Sequence, residues 1–501
     1  MHDTLNTNPP KTRLYRLVEM SPGIATWITI FGALLSSYFA PLWAVYIVIV
    51  FDVYWIIKVL YWVIHLFHSY KRYLQTAQVD WLHKLQDHPK HTEMLHVVFL
   101  PTYKEGKDII EQTIQALSKS TFPTQRIVPV LALEEKDSER AVPIAEDLKQ
   151  KYKHIFFDFL ITVHPYGKAG EIPGKGSNTN WAGHQITQWL KDNHSEIPHE
   201  NIIVSSFDID SVVAPQYFAY LTYTYLTHPD PTHASYQPIP MFNNNIWTST
   251  SFARVTANST TFWLLAELAR PERLFTFSSH SMSLKALIDV GYWQKDIVSE
   301  DSRIFLQCYI KNNGNYKVVP LFMPVSMDNV HAGSFWKTVQ ELYKQQRRWA
   351  WGVENLPYMV HHFAGNKKIP RKMKWYYIFN QAEGMYTWAT APIIIFVLGR
   401  FPFWIGQGAF QDTAIRQSAP VVLHYLLSSA MIGMFAVGLL SLFLLPKRPD
   451  NQPRWKYLMV GLQWILIPIT MVVFGAIPAI DAQTRLMFNK PLGFRVTEKK
   501  R

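Results

Sequence analysis

Two aspartates separated by one residue are the clearest chemical feature of the sequence. Asp208 and Asp210 follow a short apolar run that has the composition of a buried strand. If both residues extend that strand, their side chains point the same way. Mg²⁺ and Mn²⁺ prefer oxygen ligands, and one or two carboxylates together with diphosphate oxygens can hold such an ion. Because Asp-x-Asp is also common in solvated turns, this interpretation depends on the preceding strand.

A turn of small residues with one cation comes before these aspartates. Residues 174–180 read GKGSNTN and open a predicted helix. Backbone N–H groups at a helix start, together with the ammonium of Lys175, suit a phosphate. The spacing Gly-x-x-x-x-Gly-Lys-Ser/Thr of a P-loop is absent, which argues against ATP-driven motor chemistry.

A second acidic pair, Glu300 and Asp301, follows Ser299 and begins an apolar-periodic helix. Transfer of a sugar needs a carboxylate that takes the proton from the attacking hydroxyl, and an acid near a metal site could supply it. The alternative is that Ser299, Glu300 or Asp301 caps the helix.

A helix with an apolar stripe is predicted from Ser334 onward. Gln345, Arg348 and Trp349 lie at i, i+3 and i+4 and therefore share one face. Arginine can brace a pyrophosphate, and an indole offers a flat surface for a sugar ring. An ordinary interfacial helix would also be rich in Trp and Arg, so this alternative stays open.

The elements that position these side chains form an alternating pattern from residue 95 onward. Four apolar runs, LHVVFLP, IVPVLAL, IFFDFLITV and NIIVSSF, are separated by amphipathic segments, which predicts a parallel sheet with crossover helices. Ligands bind at the carboxyl ends of such strands. Thr102 and Glu105 after the first run, and Glu134 and Glu135 after the second, could contact a ribose or a base. Solvated loops are equally polar, so the alternative that these residues only face solvent stays open.

Apolar segments lie on both sides of this region. Residues 24–66 are apolar except for Asp52 and Lys58, which is long enough for two helical crossings joined by a turn at residues 36–41. Flanking basic residues place both ends in the cytoplasm, and no cleavable signal peptide is expected. Asp52 and Lys58 either line a polar path or pair with another helix, unless Lys58 snorkels.

Three further apolar stretches are at residues 376–399, 421–445 and 456–480. A cytoplasmic C-terminal end requires an even number of crossings, so we expect one stretch to be interfacial or re-entrant. The candidates are the last stretch, with Pro468 and Pro478, and the first, with Glu383.

Composition limits the class of protein. Of 501 residues, 17% are charged and 15% are aromatic, which disfavours a purely soluble chain. The single cysteine, Cys308, excludes an intramolecular disulfide framework and suits a catalytic domain in the reducing cytosol, although a lone nucleophilic cysteine stays open. The formal charge is +12, but the basic residues cluster beside apolar segments. We therefore expect a lipid bilayer, and no nucleic acid, as a partner.

Read in order, three motifs resemble those of the processive family-2 glycosyltransferases, the group of cellulose, hyaluronan and chitin synthases. They are Asp208-Ile-Asp210, Ser299-Glu300-Asp301 and Gln345-Gln-Arg-Arg348-Trp349. The resemblance covers residues 95–352 and the extreme C-terminus. It implies an α/β fold in which a GT-A (Rossmann-like) catalytic domain is inserted between transmembrane helices.

The resemblance also implies roles for individual residues. Asp208 and Asp210 would bind Mg²⁺ or Mn²⁺, and the catalytic residues would be Asp301, the general base, and Glu300. The implied donor-binding residues are Thr102, Glu105, Glu134, Lys175, Asp208, Gln345, Arg348 and Trp349. Relatives often have an aspartate where this chain has Glu134 and Glu135, so the nucleobase contact is left open.

The C-terminal residues Phe494, Val496, Thr497 and Lys499 resemble the Phe-x-Val-Thr-x-Lys gating loop of bacterial cellulose synthases. That loop closes over the donor. The alternative is a frayed basic tail. We expect no cyclic-nucleotide-binding domain and no regulation of the cellulose-synthase type.

Together these expectations divide the chain into six parts. They are a cytoplasmic tail (1–23), a transmembrane hairpin (24–66), a cytosolic GT-A domain (67–333), interfacial helices (334–375), a transmembrane bundle (376–490) and a gating-loop-like tail (491–501). The expected function is inverting polymerisation of a β-linked polysaccharide from a cytosolic nucleotide sugar, a UDP-sugar by resemblance, onto a glycan acceptor, with translocation through a bacterial inner or plasma membrane.

Two alternatives remain at this point. A non-processive enzyme would add one sugar to a lipid or short acceptor. A catalytically silent membrane protein would bind glycan or nucleotide as a sensor. The sequence names no export partner.

Overall fold

The computed structural model of the chain describes residues 5–493, except for the side chains of residues 409, 432 and 434–436. The gating-loop residues Phe494, Val496, Thr497 and Lys499 lie outside the described residues. Their role therefore stays a prediction.

Eight strands form one mixed sheet with the order β3-β2-β1-β4-β7-β6-β8-β5. The strands are β1 Leu95–Thr102, β2 Ile127–Glu134, β3 Leu160–His164, β4 Ile202–Ser206, β5 Val212–Val213, β6 Ala234–Met241, β7 Ser281–Ser283 and β8 Lys317–Ser326. Strands β1 to β4 are the four predicted from the apolar runs, and they pair in parallel.

Sequence analysis predicted no strands for the other half of the sheet, which is mixed: β6 and β8 pair in parallel. Strand β7 is antiparallel to β4 and β6, and β5 is antiparallel to β8. These strands escaped sequence analysis because β5 and β7 have only two and three residues. Strands β6 and β8 each contain two prolines, which weaken a strand pattern.

Ten α-helices accompany the sheet between residues 78 and 370. In chain order they are α3 Trp81–Gln86, α4 Lys107–Ser118, α5 Ser138–Tyr152, α6 Lys175–Asn193, α7 Tyr217–Thr227, α8 Ser251–Leu268, α9 Leu284–Asp289, α10 Glu300–Lys311, α11 Phe335–Ala350 and α12 Asn355–Gly365. Two clusters of buried apolar side chains enclose the sheet, one containing Phe99 and the other Phe207. Burial on both sides explains why β1 and β2 are continuous apolar runs.

Apolar helices come before and after the sheet in the sequence. The long ones are α1 Arg13–Phe39, α2 Pro41–Ala77, α13 Arg371–Phe396 and α15 Ala414–Phe443, and the shorter ones are α14 Phe401–Ile405, α16 Trp455–Leu462, α17 Ile467–Thr470 and α18 Ile477–Met487. The break between α1 and α2 is at Ala40, within the turn expected at residues 36–41, and Pro41 begins α2. Both helices extend beyond 24–66.

Four segments among the described residues are long and apolar enough to cross a membrane. They are Arg13–Phe39, Pro41–Ala77, Arg371–Ile405 and Trp455–Met487. The chain thus has a mixed α/β, GT-A-like sheet flanked by long apolar helices, which confirms the predicted fold class.

Both ends of the last apolar segment are hydrogen-bonded to other parts of the chain. At its start, Lys456 Nζ donates to the carbonyl oxygen of Trp247, in the loop before α8, at 2.7 Å. At its end, Arg16 donates to the carbonyl oxygen of Met487 at 2.9 Å. Between these points the segment is interrupted by a π-helical turn at Met471–Ala476.

Arg254 attaches α8 to this segment. Its guanidinium is 2% exposed and donates to Gln463 Oε1 at 2.8 Å and to the carbonyl oxygen of Ser249 at 2.5 Å. Burial lowers the pKa of Arg254 to about 10. Removing either the buried guanidinium or one of its acceptors destabilises the fold, because the remaining partner stays buried without its hydrogen bond.

We expect Arg254→Ala to lower the free energy of unfolding by about 3 kcal/mol, because buried acceptors lose a charged donor. Thermal unfolding in detergent, followed by tryptophan fluorescence, measures this. Arg371→Ala, at the exposed start of α13, is the control and should change stability by no more than about 0.5 kcal/mol. Equal shifts for the two variants would contradict this assignment.

Candidate active site

One cavity of about 980 Å³ lies at the carboxyl ends of β1, β2 and β4 and continues between the apolar helices. Every described residue that the sequence predicts for the metal, donor and catalytic site lines this cavity. They are Thr102, Glu105, Glu134, Lys175, Asp208, Asp210, Glu300, Asp301, Gln345, Arg348 and Trp349. Residues from six separate parts of the sequence therefore meet in one place.

Lys175 is at the centre of the cluster. Its ammonium donates to Asp208 Oδ1 at 2.9 Å and to Asp301 Oδ2 at 3.0 Å, while its side chain is 8% exposed. Burial alone lowers the pKa of Lys175, but the carboxylates of Asp208 and Asp301 outweigh burial and raise it. The lysine therefore stays charged at any physiological pH.

Glycine allows Lys175 to reach this position. Helix α6 begins at Lys175, as predicted, with Gly174 at its N-cap position. A Cβ on Gly176 would lie 2.7 Å from the carbonyl oxygen of Gln294 and 3.1 Å from Glu300 Cβ. Only a glycine lets the first turns of α6 and α10 approach this closely.

Asp208 and Asp210 lie in the turn after β4. The prediction that both extend the strand is wrong, because β4 ends at Ser206 and the chain turns, with Ser211 N–H donating to the Asp208 carbonyl oxygen at 3.0 Å. Asp208 is the more exposed of the two. Asp210 is buried, and its Oδ2 accepts from the Asp328 N–H at 2.7 Å.

Among residues 5–493, no group of three or more His, Cys, Asp or Glu side chains is placed to hold a metal ion. Asp208 and Asp210 both line the cavity, and one or two carboxylates are what a diphosphate-bound divalent ion needs from protein.

Glu300 and Asp301 occupy the first turn of α10. Burial, with the neighbouring Asp301 carboxylate, raises the pKa of Glu300 to about 8. Asp301 is partly exposed to the cavity, and His280 Nδ1 lies 3.7 Å from its Oδ1. Ser299 is at the N-cap position without a capping hydrogen bond, because its hydroxyl donates to Glu354 Oε1 at 2.6 Å. The capping interpretation is therefore wrong for Ser299.

Helix α11 begins after Ser334, whose hydroxyl accepts from the Lys337 N–H. Gln345, Arg348 and Trp349 share the face that lines the cavity, as their spacing predicts. The ring of Trp349 packs against Phe242 with centroids 5.5 Å apart.

Two other aromatic residues near this helix do not line the cavity. The Tyr343 hydroxyl donates to Asp481 Oδ2 at 2.9 Å, and the indole N–H of Trp351, one residue after α11 ends, donates to Glu354 Oε2 at 2.9 Å.

The loop after β1 has a defined shape. Glu105 Oε2 accepts from the Tyr103 N–H at 2.7 Å, and Asp137 Oδ2 accepts from the Lys104 N–H at 2.8 Å. Lys104 has a φ of 69°, a left-handed conformation that a lysine adopts only when its surroundings hold it. Arg140 completes the arrangement by donating to Asp137 and to the Glu105 carbonyl oxygen.

His164 forms a hydrogen bond with Glu134, a contact that the sequence did not indicate. Its Nδ1 is 3.0 Å from Glu134 Oε2 and its Nε2 is 2.9 Å from Glu171 Oε2. Burial by itself lowers the pKa of His164, but the hydrogen bonds to Glu134 and Glu171 outweigh it and raise the pKa. Lys168 and Lys295 lie 3.5 Å and 3.4 Å from the other Glu171 oxygen.

Other residues around the site also escaped sequence analysis. They are His280 beside Asp301, Phe242 beside Trp349, and Asp328 beside Asp210. Each is an isolated residue in a segment without a motif, and only the fold brings it to the cavity.

Comparison with known proteins gives a family match. The family model described as "Glycosyl transferase family group 2" matches residues 203–477. The mannosyltransferase PcManGT from Pyrobaculum calidifontis, solved with GDP-Man and Mn²⁺, is 14% identical, with 83% of this chain and 99% of that chain covered and a TM-score of 0.41. S. aureus TarS 1-349, solved with UDP-GlcNAc, is 13% identical, with 72% and 98% covered and a TM-score of 0.30. No curated protein matches the chain.

We predict that His164→Gln weakens donor binding in a pH-dependent way. Protonated His164 donates to both carboxylates, and its raised pKa means that this contribution is complete below about pH 6.5 and is lost as the pH rises through the folded-state pKa. Gln cannot make both bonds. The donor KM of the variant should be about tenfold higher at pH 6, because one charge-assisted hydrogen bond is worth about 1.5 kcal/mol, and the difference should shrink toward pH 9.

Initial rates of nucleoside diphosphate release at pH 6 and pH 9 give these KM values. His184→Gln, at an exposed position on α6, is the control and should match the wild type at both pH values. A His164→Gln variant with the wild-type KM at pH 6 would show that Glu134 needs no support from His164.

Proposed function

Because the chain belongs to glycosyl transferase family group 2, whose members use nucleotide-sugar donors, we propose that it polymerises a β-linked polysaccharide by inverting transfer and passes the product toward the membrane. The observation that carries this proposal is the position of Lys175 between Asp208 and Asp301, in a cavity that continues between the apolar helices.

The donor diphosphate binds beside Lys175 and Arg348, whose positive charges line the cavity. Asp208 and Asp210 are the residues that would hold Mg²⁺ or Mn²⁺, since hard oxygen ligands suit these ions. When bound, the ion neutralises charge on the departing nucleoside diphosphate. Arg348 supplies the same kind of stabilisation from α11 through its planar guanidinium.

Asp301 acts as the general base. It takes the proton of the acceptor hydroxyl, whose oxygen forms a bond to the anomeric carbon while the bond from that carbon to the diphosphate oxygen breaks. Configuration at the anomeric carbon inverts in this single displacement. Glu300, with a pKa of about 8, is mostly protonated at neutral pH. It therefore adds no second full negative charge where the diphosphate binds.

The nucleobase lies beside Glu134, with Thr102 and Glu105 on the neighbouring loop. A carboxylate can accept the N3–H of uracil, so a UDP-sugar is the donor that we propose. Trp349 and Phe242 form an apolar wall on which the terminal sugar of the acceptor stacks.

The arrangement of the apolar helices supports an even number of crossings. We propose that α1, α2, α13 and α15 cross the membrane, and that residues 455–487 lie along its cytoplasmic surface. Both ends of the last segment contact the catalytic side, through Trp247 and Arg16. The catalytic domain would then be cytoplasmic, as the flanking basic residues indicate.

Asp301→Asn should bind donor with nearly unchanged affinity and lower kcat by at least about 10³-fold, because the amide cannot accept the proton. Donor affinity by calorimetry and nucleoside diphosphate release measure the two effects. Asp289→Asn, at an exposed carboxylate on α9, should retain full activity. A parallel loss of affinity and rate in Asp301→Asn would assign Asp301 to donor binding.

The products distinguish polymerisation from single addition. Purified protein in nanodiscs is incubated with a panel of nucleotide sugars and Mg²⁺ or Mn²⁺, and product size is followed by gel or mass analysis. We expect a ladder of lengthening chains from one donor. A single added sugar at every donor concentration would contradict polymerisation and leave glycosyl transfer intact.

A further inference from the structure

A polar bridge closes the membrane side of the cavity between α2 and α13. The Tyr54 hydroxyl donates to Glu383 Oε1 at 2.8 Å, and Lys58 donates to Glu383 and, at 3.3 Å, to Thr387 Oγ1. Lys58, Glu383 and Thr387 line the cavity that contains Asp301. We call these four residues the α2–α13 bridge.

The outer faces of both helices next to the bridge are apolar and exposed. On α13, Trp375 and Phe379 are 72% and 66% exposed, and Glu383 follows one helical turn later. On α2 the exposed stripe consists of Ile47, Val50, Tyr54, Ile57, Tyr61 and Ile64. In a bilayer these exposed apolar faces would contact lipid, and the bridge would then lie between the lipid and the cavity.

Joining two apolar helices through ionised side chains costs more free energy than joining them through apolar contacts. A Lys or Glu within a membrane span marks a functional position by default, because apolar packing would hold the helices at lower cost. Lys58 is further surrounded by the rings of Tyr54, Trp55 and Trp62, with its Nζ 5.3 to 5.8 Å from their centroids. Hydrogen-bonded groups of this kind can exchange partners with an entering polar molecule.

If Pro41 lies at the far boundary of the hydrocarbon layer, the bridge lies within that layer, near its boundary on the side of the sheet. Lys58 is 17 residues after Pro41, or about 26 Å along the helix, close to the full thickness of the hydrocarbon layer of about 30 Å. Farther along α2, Arg72 contacts the ring of Phe322 in β8, 4.3 Å from its centroid. A lipid whose head enters at this level keeps its chains in the bilayer.

The charges behind the bridge cancel. Lys58 and Arg273 are balanced by Glu267 and Glu383, and all four line the cavity. Arg273 also donates to Asn380 Oδ1 at 2.9 Å. Paired charges and amides provide many hydrogen-bond donors and acceptors without a net charge, which suits a neutral, hydroxyl-rich head better than a phosphate.

We infer that the α2–α13 bridge is a side portal through which a lipid-anchored neutral glycan enters the cavity as the acceptor. The glycan head lies between the bridge and Trp349, and its hydrocarbon chains stay between the outer faces of α2 and α13. This inference rests on the proposed function, because the head's hydroxyl gives its proton to Asp301 and attacks the anomeric carbon of the donor.

Cross-linking the portal tests this inference. Cys308, the one cysteine of the chain, is buried, so introduced thiols react selectively. The double variant Tyr54→Cys/Glu383→Cys is joined by a short, reducible bis-thiol reagent. The matched control is Thr26→Cys/Gln483→Cys, which replaces a side-chain hydrogen bond of 2.7 Å between α1 and α18 at two residues that do not line the cavity.

Each protein is placed in phosphatidylcholine nanodiscs containing a monohexosyl diacylglycerol and given radiolabelled nucleotide sugar. Three rates are measured: label in the butanol-extracted lipid, label on a water-soluble hexoside, and nucleoside diphosphate release without acceptor. We expect cross-linking at the portal to reduce lipid labelling at least about tenfold and to leave the other two rates within about twofold. Reduction should restore lipid labelling, and the control should show no change.

Unchanged lipid labelling after complete cross-linking would overturn the portal. The wild type gives a second test that needs no variant: label only in lipid-free product, with none on the diacylglycerol, would also overturn it. Both results leave the proposed function standing. Failure of the proposed function would give a different result: the wild type would release no nucleoside diphosphate from any donor.

Discussion

The contact of Lys175 with Asp208 and Asp301 is the interaction on which the site depends. It joins the turn after β4 to the first turns of α6 and α10, three elements that are far apart in sequence. The side chain is buried, so its charge is tolerated only because two carboxylates compensate it. The same arrangement fixes the distance between the proposed diphosphate site and the proposed base, and it requires Gly176 at the helix contact.

Around this centre, buried groups hold the residues that face the donor. His164 supports Glu134, Asp137 supports the loop of Lys104, and the Asp328 N–H supports Asp210. Each contact restricts a loop at the carboxyl edge of the sheet. A flexible side chain there would lose conformational entropy when a ligand binds. These contacts therefore fix the loops on the sheet side of the cavity. On the side of the apolar helices, Lys58 and Glu383 form an ion pair that joins α2 and α13.

Much of the site was predictable from local sequence. Strands β1 to β4, the start of α6, and the cavity-facing side of α11 follow from apolar periodicity and from glycine and serine at helix starts, which act over a few residues. The remaining strands were not predictable, since β5 and β7 are too short and β6 and β8 carry proline. The sequence left open whether Lys58 lines a polar path or pairs with another helix. In the structure it does both, because it lines the cavity and pairs with Glu383.

The sequence by itself determined which chemistry the chain carries: paired carboxylates, a lysine after a glycine turn, and an arginine and a tryptophan on one helical face. These depend on residue type and short spacing. Only the tertiary structure decided that they share one cavity, that Ser299 bonds Glu354 instead of capping its helix, and that the cavity continues between α2 and α13. Such contacts join residues tens to hundreds of positions apart, and packing of whole elements, which no local pattern encodes, sets their distances.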